Sequence, residues 1–272
     1  MSRVRALIIT SHPGPSLAVT ALTTLLAVEA APHGVGPLLT APALLAGKLS
    51  IGWSNDACDA PKDSAARRTD KPLVRGDISM SAVWLAACAA AAAGLAMALA
   101  IGPVTGAIYA VAIAVGWAYN LGLKSSLASG VTYLVGFGLM PAYAASTLPG
   151  HPAPRATVTV AAGLLGLGAH FANVLPDLAA DKATGVGGLP QRVAARWGPA
   201  AVRAAALVLL LTASVLLLLG ATRLWVAVPG LVAALLLAVA SVRGTGRVPF
   251  LAAIAIAAVD IVLFVAGGEA LV

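Results

Sequence analysis

The sequence predicts an all-α, polytopic membrane protein. Three observations carry this. Of 272 residues, 60% are hydrophobic and only 10% charged, with a mean hydropathy of +0.95; a soluble domain carries roughly 25% charged residues. Apolar runs near the roughly 20 residues needed to cross a bilayer recur nine times. The Lys and Arg residues left between those runs fall almost entirely on one side of the count. The composition excludes a soluble globular domain. The net charge of +7 is read as the positive flanks of membrane spans and excludes nucleic acid as the inferred partner. Two cysteines, Cys58 and Cys88, give no disulfide framework, because one lies in a charged stretch and the other in an apolar run. No cleavable signal peptide is expected, since the first apolar run is long enough to span and lacks a clear cleavage site.

The spans follow from apolar runs and their Pro, Gly or charged breaks. The first is expected over 14–31, ending in Pro32-His33-Gly34, and the second over 35–54, opening into a charged segment. The third covers 78–101, turning at Gly102-Pro103, and the fourth 104–121. The fifth covers 126–147, ending in Leu148-Pro149-Gly150-His151-Pro152, and the sixth 156–172, opening into a second charged loop over 173–197. The last three are 198–219, 224–242 and 248–266. With this count Arg3, Arg5, Lys62, Arg67, Arg68, Lys71, Arg75, Lys124, Lys182, Arg192, Arg196, Arg203, Arg243 and Arg247 share one face, leaving Arg155 and Arg223 on the other. By the positive-inside rule the rich face is cytoplasmic. This predicts a cytoplasmic amino terminus, an external carboxyl terminus and two charged loops in the cytoplasm, in one transmembrane domain over 1–272 of a bacterial plasma membrane.

Chemistry concentrates in those two loops, at about 55–77 and 173–197. Asn55, Asp59 and Asp63 lie four residues apart, a spacing that stacks them on one helix face about 6 Å apart per step. Asn173, Asp177 and Asp181 repeat the spacing, starting 118 residues later (173 − 55). Carboxyl groups this close do not all ionise cheaply without a cation among them. Oxygen-only ligands suit Mg²⁺, which takes one or two carboxylates and completes its shell with substrate phosphates. The basic run after the first motif suits those phosphates. Pro61 and Pro176 lie inside the motifs, and proline removes a helix hydrogen bond; both motifs are therefore expected to straddle a helix end, the last Asp in the following loop. Two such clusters describe a diphosphate–Mg²⁺ site.

These residues also carry a family resemblance. Asn55-Asp56-x-x-Asp59-x-x-x-Asp63, then Arg68-Thr69, Lys71-Pro72-Leu73, Gly76 and Ile78-Ser79, closely resembles the first signature of the UbiA superfamily of intramembrane prenyltransferases. Asn173-x-Leu175-Pro176-Asp177-x-x-x-Asp181, with Thr184-Gly185 and Leu189-Pro190-Gln191-Arg192-Val193, resembles the second. The resemblance implies nine transmembrane helices around a central cavity. It implies transfer of an isoprenoid chain from a prenyl diphosphate to an aromatic or lipid acceptor, with Mg²⁺. Site residues carried over from it are Asn55, Asp56, Asp59, Asp63, Asp177 and Asp181 for metal and diphosphate, Arg68, Lys71 and Lys124 for the diphosphate, and Tyr119 at the end of the fourth helix. Asn173 joins the metal set through the repeated spacing. The chain departs from the pattern twice. Gly185-Val186-Gly187-Gly188 stands where many members carry a basic residue, so that contact falls to Lys182 or Arg192. His12-Pro13 replaces the usual Arg-Pro.

Three polar residues inside spans complete the candidate set. Lys48, seven residues before Asn55, lies deeper on nearly the same face, where it reaches the diphosphate or an acceptor, or else snorkels to the interface. His170, three residues before Asn173, is either a base for an acceptor hydroxyl or a hydrogen-bonded packing residue. Asp260, midway along the ninth span, faces a cavity or another helix's hydroxyl; an acid at that depth is costly. Two alternatives share the site or the fold: a terpene cyclase whose cation is captured by its own double bonds, and a non-catalytic isoprenoid-binding or transport protein.

Overall fold

In lipid a chain satisfies its own backbone N–H and C=O groups, and a helix does this within one segment. The structure is a computed structural model that describes residues 2–11, 13–30, 35–178, 181, 185–268 and 270–272. Among those residues it is all-helical, with no strand. The helices are α1 (Arg3–Thr10), α2 (Pro13–Ala30), α3 (Val35–Ala65), α4 (Pro72–Arg75), α5 (Met80–Ile101), α6 (Pro103–Asn120), α7 (Ser129–Ser146), α8 (Ala156–Val174), α9 (Leu189–Trp197), α10 (Pro199–Gly220), α11 (Leu224–Arg243) and α12 (Val248–Ala266). A 3₁₀ turn, Leu123–Ser125, precedes α7. Five of the described helices, α5, α8, α10, α11 and α12, are long and apolar enough to cross a membrane. The other four expected spans fall on α2, α3, α6 and α7.

Three of these elements lie outside the expected spans. α1 carries exposed Val4, Ile8 and Ile9 while Ala6 and Thr10 are buried. α4 and α9 lie in the charged segments. α9, expected as part of a loop over 173–197, forms because Pro190 sets φ in its first turn, where a missing N–H costs nothing.

The chain forms two compact units. The first comprises 1–121 and 143–152. Here α3 packs against α2, α5 and α6, and α1 and α4 pack on α3. Small residues permit this: Ala43, Ala57, Ala60, Ala87 and Ala98 are all buried. At Gly52 a Cβ would lie 2.4 Å from the Ser11 carbonyl oxygen, so only glycine lets the α1 end approach α3. Trp53 Nε1 donates to the Leu7 carbonyl at 2.9 Å, tying the same helices. Trp117 Nε1 donates to Ser50 Oγ at 3.0 Å, and Asn120 Nδ2 donates to Ile51 O at 2.9 Å and Ser54 Oγ at 2.8 Å. These bonds anchor the end of α6 beside α3, one turn before Asn55.

The second unit comprises 122–142 and 153–272. α8 packs on α10, and α12 packs on α8, α10 and α11. Leu165, Phe171, Leu207, Leu210, Leu217, Ile256 and Leu263 fill its core, with Ala172, Ala206, Ala213 and Ala234 at the close approaches. The Thr222 and Arg223 N–H groups donate to the Gly267 carbonyl, and the Arg155 N–H to that of Leu271.

Candidate functional site

The two motifs share a spacing but not a local structure. The first is helical throughout. α3 continues past the expected span end at Ser54, through Pro61 and Asp63, to Ala65. This corrects the expectation that both motifs straddle a helix end. Pro61 removes one donor near the end of a long helix, and the next turn still closes, with the Ala66 N–H on the Lys62 carbonyl at 2.9 Å. The second motif does break. α8 ends at Val174, and the bonds shorten to three-residue turns, Leu175 N–H to Ala172 O at 3.1 Å and Asp177 N–H to Val174 O at 3.0 Å. Pro176 stands three residues after Asn173, whereas Pro61 stands six after Asn55, so the proline falls at a different phase of the two motifs.

In the first unit an unbroken α3 places Asn55, Asp59 and Asp63 along one face, all half-buried. The opposite side packs apolar: Ala57 joins Ala6, Ile78 and Val83 in a buried cluster. Asp56, expected among the metal ligands, is only 3% exposed and accepts a 2.7 Å hydrogen bond from Lys71 Nζ, itself 17% exposed. Lys71, expected at a diphosphate, is thus engaged with an acid of its own motif. Arg68 grips Asp70 in a bidentate pair at the exposed rim, Nε to Oδ1 at 2.9 Å and Nη2 to Oδ2 at 2.8 Å, which holds the Asp70 carboxyl down to about 2. Arg75 pairs with Asp77 and donates to the Thr69 carbonyl at 2.9 Å, bracing the turn. Burial raises the Asp63 carboxyl above its ordinary value; Lys71 opposes this and the neighbouring Asp59 adds to it. Tyr119 is half-buried on the last turn of α6, and Lys48 half-buried on α3.

This donor set fits Mg²⁺ in kind, since it offers only carboxylate and amide oxygens, and a cation would favour the ionised form that burial of Asp63 disfavours. Among the described residues no three His, Cys, Asp or Glu side chains converge as a ready-made cage. Mg²⁺ does not need one, because it is commonly held by one or two carboxylates plus substrate phosphates.

In the second unit Asn173 and Asp177 are exposed and Asp181 half-buried. Asp181 accepts a 2.8 Å hydrogen bond from Gln191 Nε2 on α9. Arg192 is exposed, with Nε donating to the Gly187 carbonyl at 2.8 Å. Lys124 sits half-buried in the 3₁₀ turn before α7. Lys182 and Thr184, like His12, lie outside the described residues. His170 is 2% exposed and shares a 3.1 Å hydrogen bond with Ser129 Oγ, its ring stacked on Tyr133 at 4.3 Å. Asp260 is fully buried and accepts from Ser214 Oγ on α10. Each thus meets a hydroxyl of a neighbouring helix, Ser129 for His170 and Ser214 for Asp260.

Spacing did not reveal Gln191, Ser129 or Asn120 as partners of these segments. Ser129 is 60 residues from Leu189, and Asn120 is 66 from Ser54; no helical period links positions so far apart. Only Gln191 carried a signal, as a member of the stretch Leu189–Val193 that resembles the second signature.

A family model described as the UbiA prenyltransferase family matches residues 16–266. The chain belongs to that family. Membership makes it a prenyltransferase by class, and its apolar helices make it an integral membrane protein. Solved structures of the same fold include one described under the biosynthesis of digeranylgeranylglyceryl phosphate synthase in membranes, at 14% identity and a TM-score of 0.74, covering 98% of this chain and 99% of that one. A UbiA homologue from Archaeoglobus fulgidus bound to DMAPP and Mg²⁺ matches at 18% identity and a TM-score of 0.71, covering 95% and 98%. The apo UbiA homologue from Aeropyrum pernix K1 matches at 18% identity and 0.73, covering 98% and 99%. No curated protein sequence matches the chain.

Proposed function

We propose that this family member transfers an isoprenoid chain from a prenyl diphosphate to an aromatic or lipid acceptor within the membrane, and that it needs Mg²⁺. The observation that carries this reading is the unbroken end of α3. It sets Asn55, Asp59 and Asp63 along one face, with the basic segment Arg68–Lys71 beside them. The A. fulgidus homologue bound to DMAPP and Mg²⁺, and the same protein bound to GPP and Mg²⁺, support the choice of donor and metal.

In the first unit Asn55, Asp59 and Asp63 would hold metal; in the second unit Asn173, Asp177 and Asp181 would do so. Asp56 keeps Lys71 in place beside the first cluster. Bound Mg²⁺ supplies Lewis-acid neutralisation of the departing diphosphate. Arg68, Lys71, Tyr119, Lys124, Arg192 and Lys182 bind and orient the diphosphate oxygens. Apolar spans sheath the isoprenoid and exclude water from the allylic carbon. Lys48 is the remaining candidate for binding an acceptor, while His170 and Asp260 serve packing. In this reading all nine runs cross a bacterial plasma membrane as one domain, with both charged segments and the amino terminus in the cytoplasm.

The test incubates purified protein with prenyl diphosphates of several lengths and candidate phenolic and lipid acceptors, with Mg²⁺ or with EDTA, and identifies the extracted products. Metal-dependent diphosphate release with an acceptor-linked product is the expected result. A cyclic hydrocarbon or terpene alcohol formed with no acceptor would replace the transferase with a cyclase. No diphosphate release from any isoprenoid would leave only a binding or transport role.

A further inference from the structure

The second unit contains a polar relay that the reaction as described does not use. Ser129, at the first position of α7, is fully buried, and its hydroxyl meets two other elements. It accepts the Leu189 N–H at 2.8 Å and shares a hydrogen bond with His170 Nε2 at 3.1 Å. A hydroxyl offers one donor and two acceptor sites, so a single oxygen can serve both. Leu189 opens α9, and the first N–H groups of a helix have no partner within it. Ser129 thus acts as the helix cap from another helix, while Tyr133, one turn further along α7, stacks on the His170 ring and fixes its plane.

What this anchored helix carries is Gln191. Its Nε2 donates to Asp181 Oδ2 at 2.8 Å. The direction is set by chemistry, because an amide NH₂ only donates. Gln191 Oε1 is buried with no hydrogen-bond partner among the described residues. A buried amide oxygen left in that state is uncommon and calls for an explanation; holding the other end of the amide on Asp181 provides one. Gly188 shows how tightly the place is built. A Cβ there would lie 2.6 Å from the Lys124 carbonyl oxygen, 2.7 Å from Gln191 Oε1 and 3.1 Å from Ser129 Oγ.

We propose that Gln191 is a positioning residue that orients the Asp181 carboxylate, and that Ser129 and His170 hold the start of α9 so that Gln191 reaches it. The inference rests on the reading of Asp181 as a ligand for Mg²⁺ with diphosphate. Groups that hydrogen-bond a ligating carboxylate set its orientation, and their loss costs about 10–100-fold in metal affinity or activity. Gln191→Met keeps the length of the side chain and removes the donor. Ser129→Ala keeps Gln191 and removes its anchor.

The experiment measures Mn²⁺ binding by electron paramagnetic resonance on full-length protein with a non-hydrolysable prenyl diphosphate analogue, beside the melting temperature of metal-free protein. Wild type, Gln191→Met, Ser129→Ala and Asp181→Ala are compared, and half-saturating Mg²⁺ for turnover is measured in each active variant. Gln191→Met is expected to weaken Mn²⁺ and raise half-saturating Mg²⁺ by about 10–100-fold, with half-saturation by the prenyl diphosphate at saturating Mg²⁺ unchanged. Ser129→Ala is expected to shift the same quantities in the same direction by less. If Asp181→Ala loses Mn²⁺ while Gln191→Met binds it like wild type, this inference fails and the assignment of Asp181 stands. If Asp181→Ala itself binds Mn²⁺ like wild type, the assignment fails and the inference with it. Should Gln191→Met melt too low in detergent, the Mg²⁺ titration in native membranes decides, and an unchanged half-saturation there overturns the proposal.

Discussion

Replacing Lys71 by methionine is expected to destabilise the metal-free protein by about 3–4 kcal/mol at neutral pH. The change deletes the ammonium 2.7 Å from an Asp56 carboxylate that is only 3% exposed, and retains most of the apolar stem. At an effective dielectric of about 20 the pair's attraction is roughly 6 kcal/mol, much of it spent against the desolvation of both ions. Removing one partner forfeits the attraction and keeps the Asp56 desolvation, which is why breaking a buried pair costs about 3–5 kcal/mol. Lys71 is 17% exposed, so water tempers the loss. The assay is denaturant unfolding in detergent at neutral pH of wild type, Lys71→Met, Asp56→Asn and the double variant. The double variant should recover at least half of the Lys71→Met loss. A cost below about 1 kcal/mol, unrelieved by Asp56→Asn, would refute the assignment of Lys71 to Asp56.

Three further outcomes are expected. Asp59→Ala and Asp63→Ala should each lower metal-dependent turnover by about two orders of magnitude, and EDTA should abolish it in wild type; full activity in EDTA, measured as released diphosphate, contradicts the metal reading. Ser214→Ala should cost about 1–3 kcal/mol in thermal or denaturant unfolding, because it strips a donor from a fully buried acid, and Ser214→Ala with Asp260→Val should restore much of it. If the double variant instead loses acceptor-dependent product at unchanged stability, Asp260 belongs to the acceptor site. A reporter fused after Val272 should read external by cysteine-accessibility labelling, and a cytoplasmic reading would mean that one expected span does not cross.

The sequence by itself determined what depends on short range. Apolar runs at membrane length and a shortage of charge dictate helices, and five of those described meet the length and hydropathy of a span. The four-residue spacing of Asn55, Asp59 and Asp63 dictates a shared helix face wherever the helix is unbroken, and together with the second motif it carried the family resemblance that the match over 16–266 bears out. Tertiary structure decided the rest. Proline is visible in both motifs, yet whether a helix survives one depends on its phase and on what packs behind it: Ala57 against Ile78 and Val83 supports α3 past Pro61, while α8 gives way before Pro176. Asp56 and Asp59 look alike in the sequence, and only the fold sends the first into a buried pair with Lys71, 15 residues away. His170 and Asp260 are both lone polar residues in apolar runs, and only the fold brings Ser129 and Ser214 to them, from 41 and 46 residues away. Local periodicity fixes which side chains share a face, because i and i+4 are neighbours on every helix. Which partner a buried polar group finds is set by helix packing, whose contacts have no period along the chain and whose selection rests on the cost of leaving that group unsatisfied.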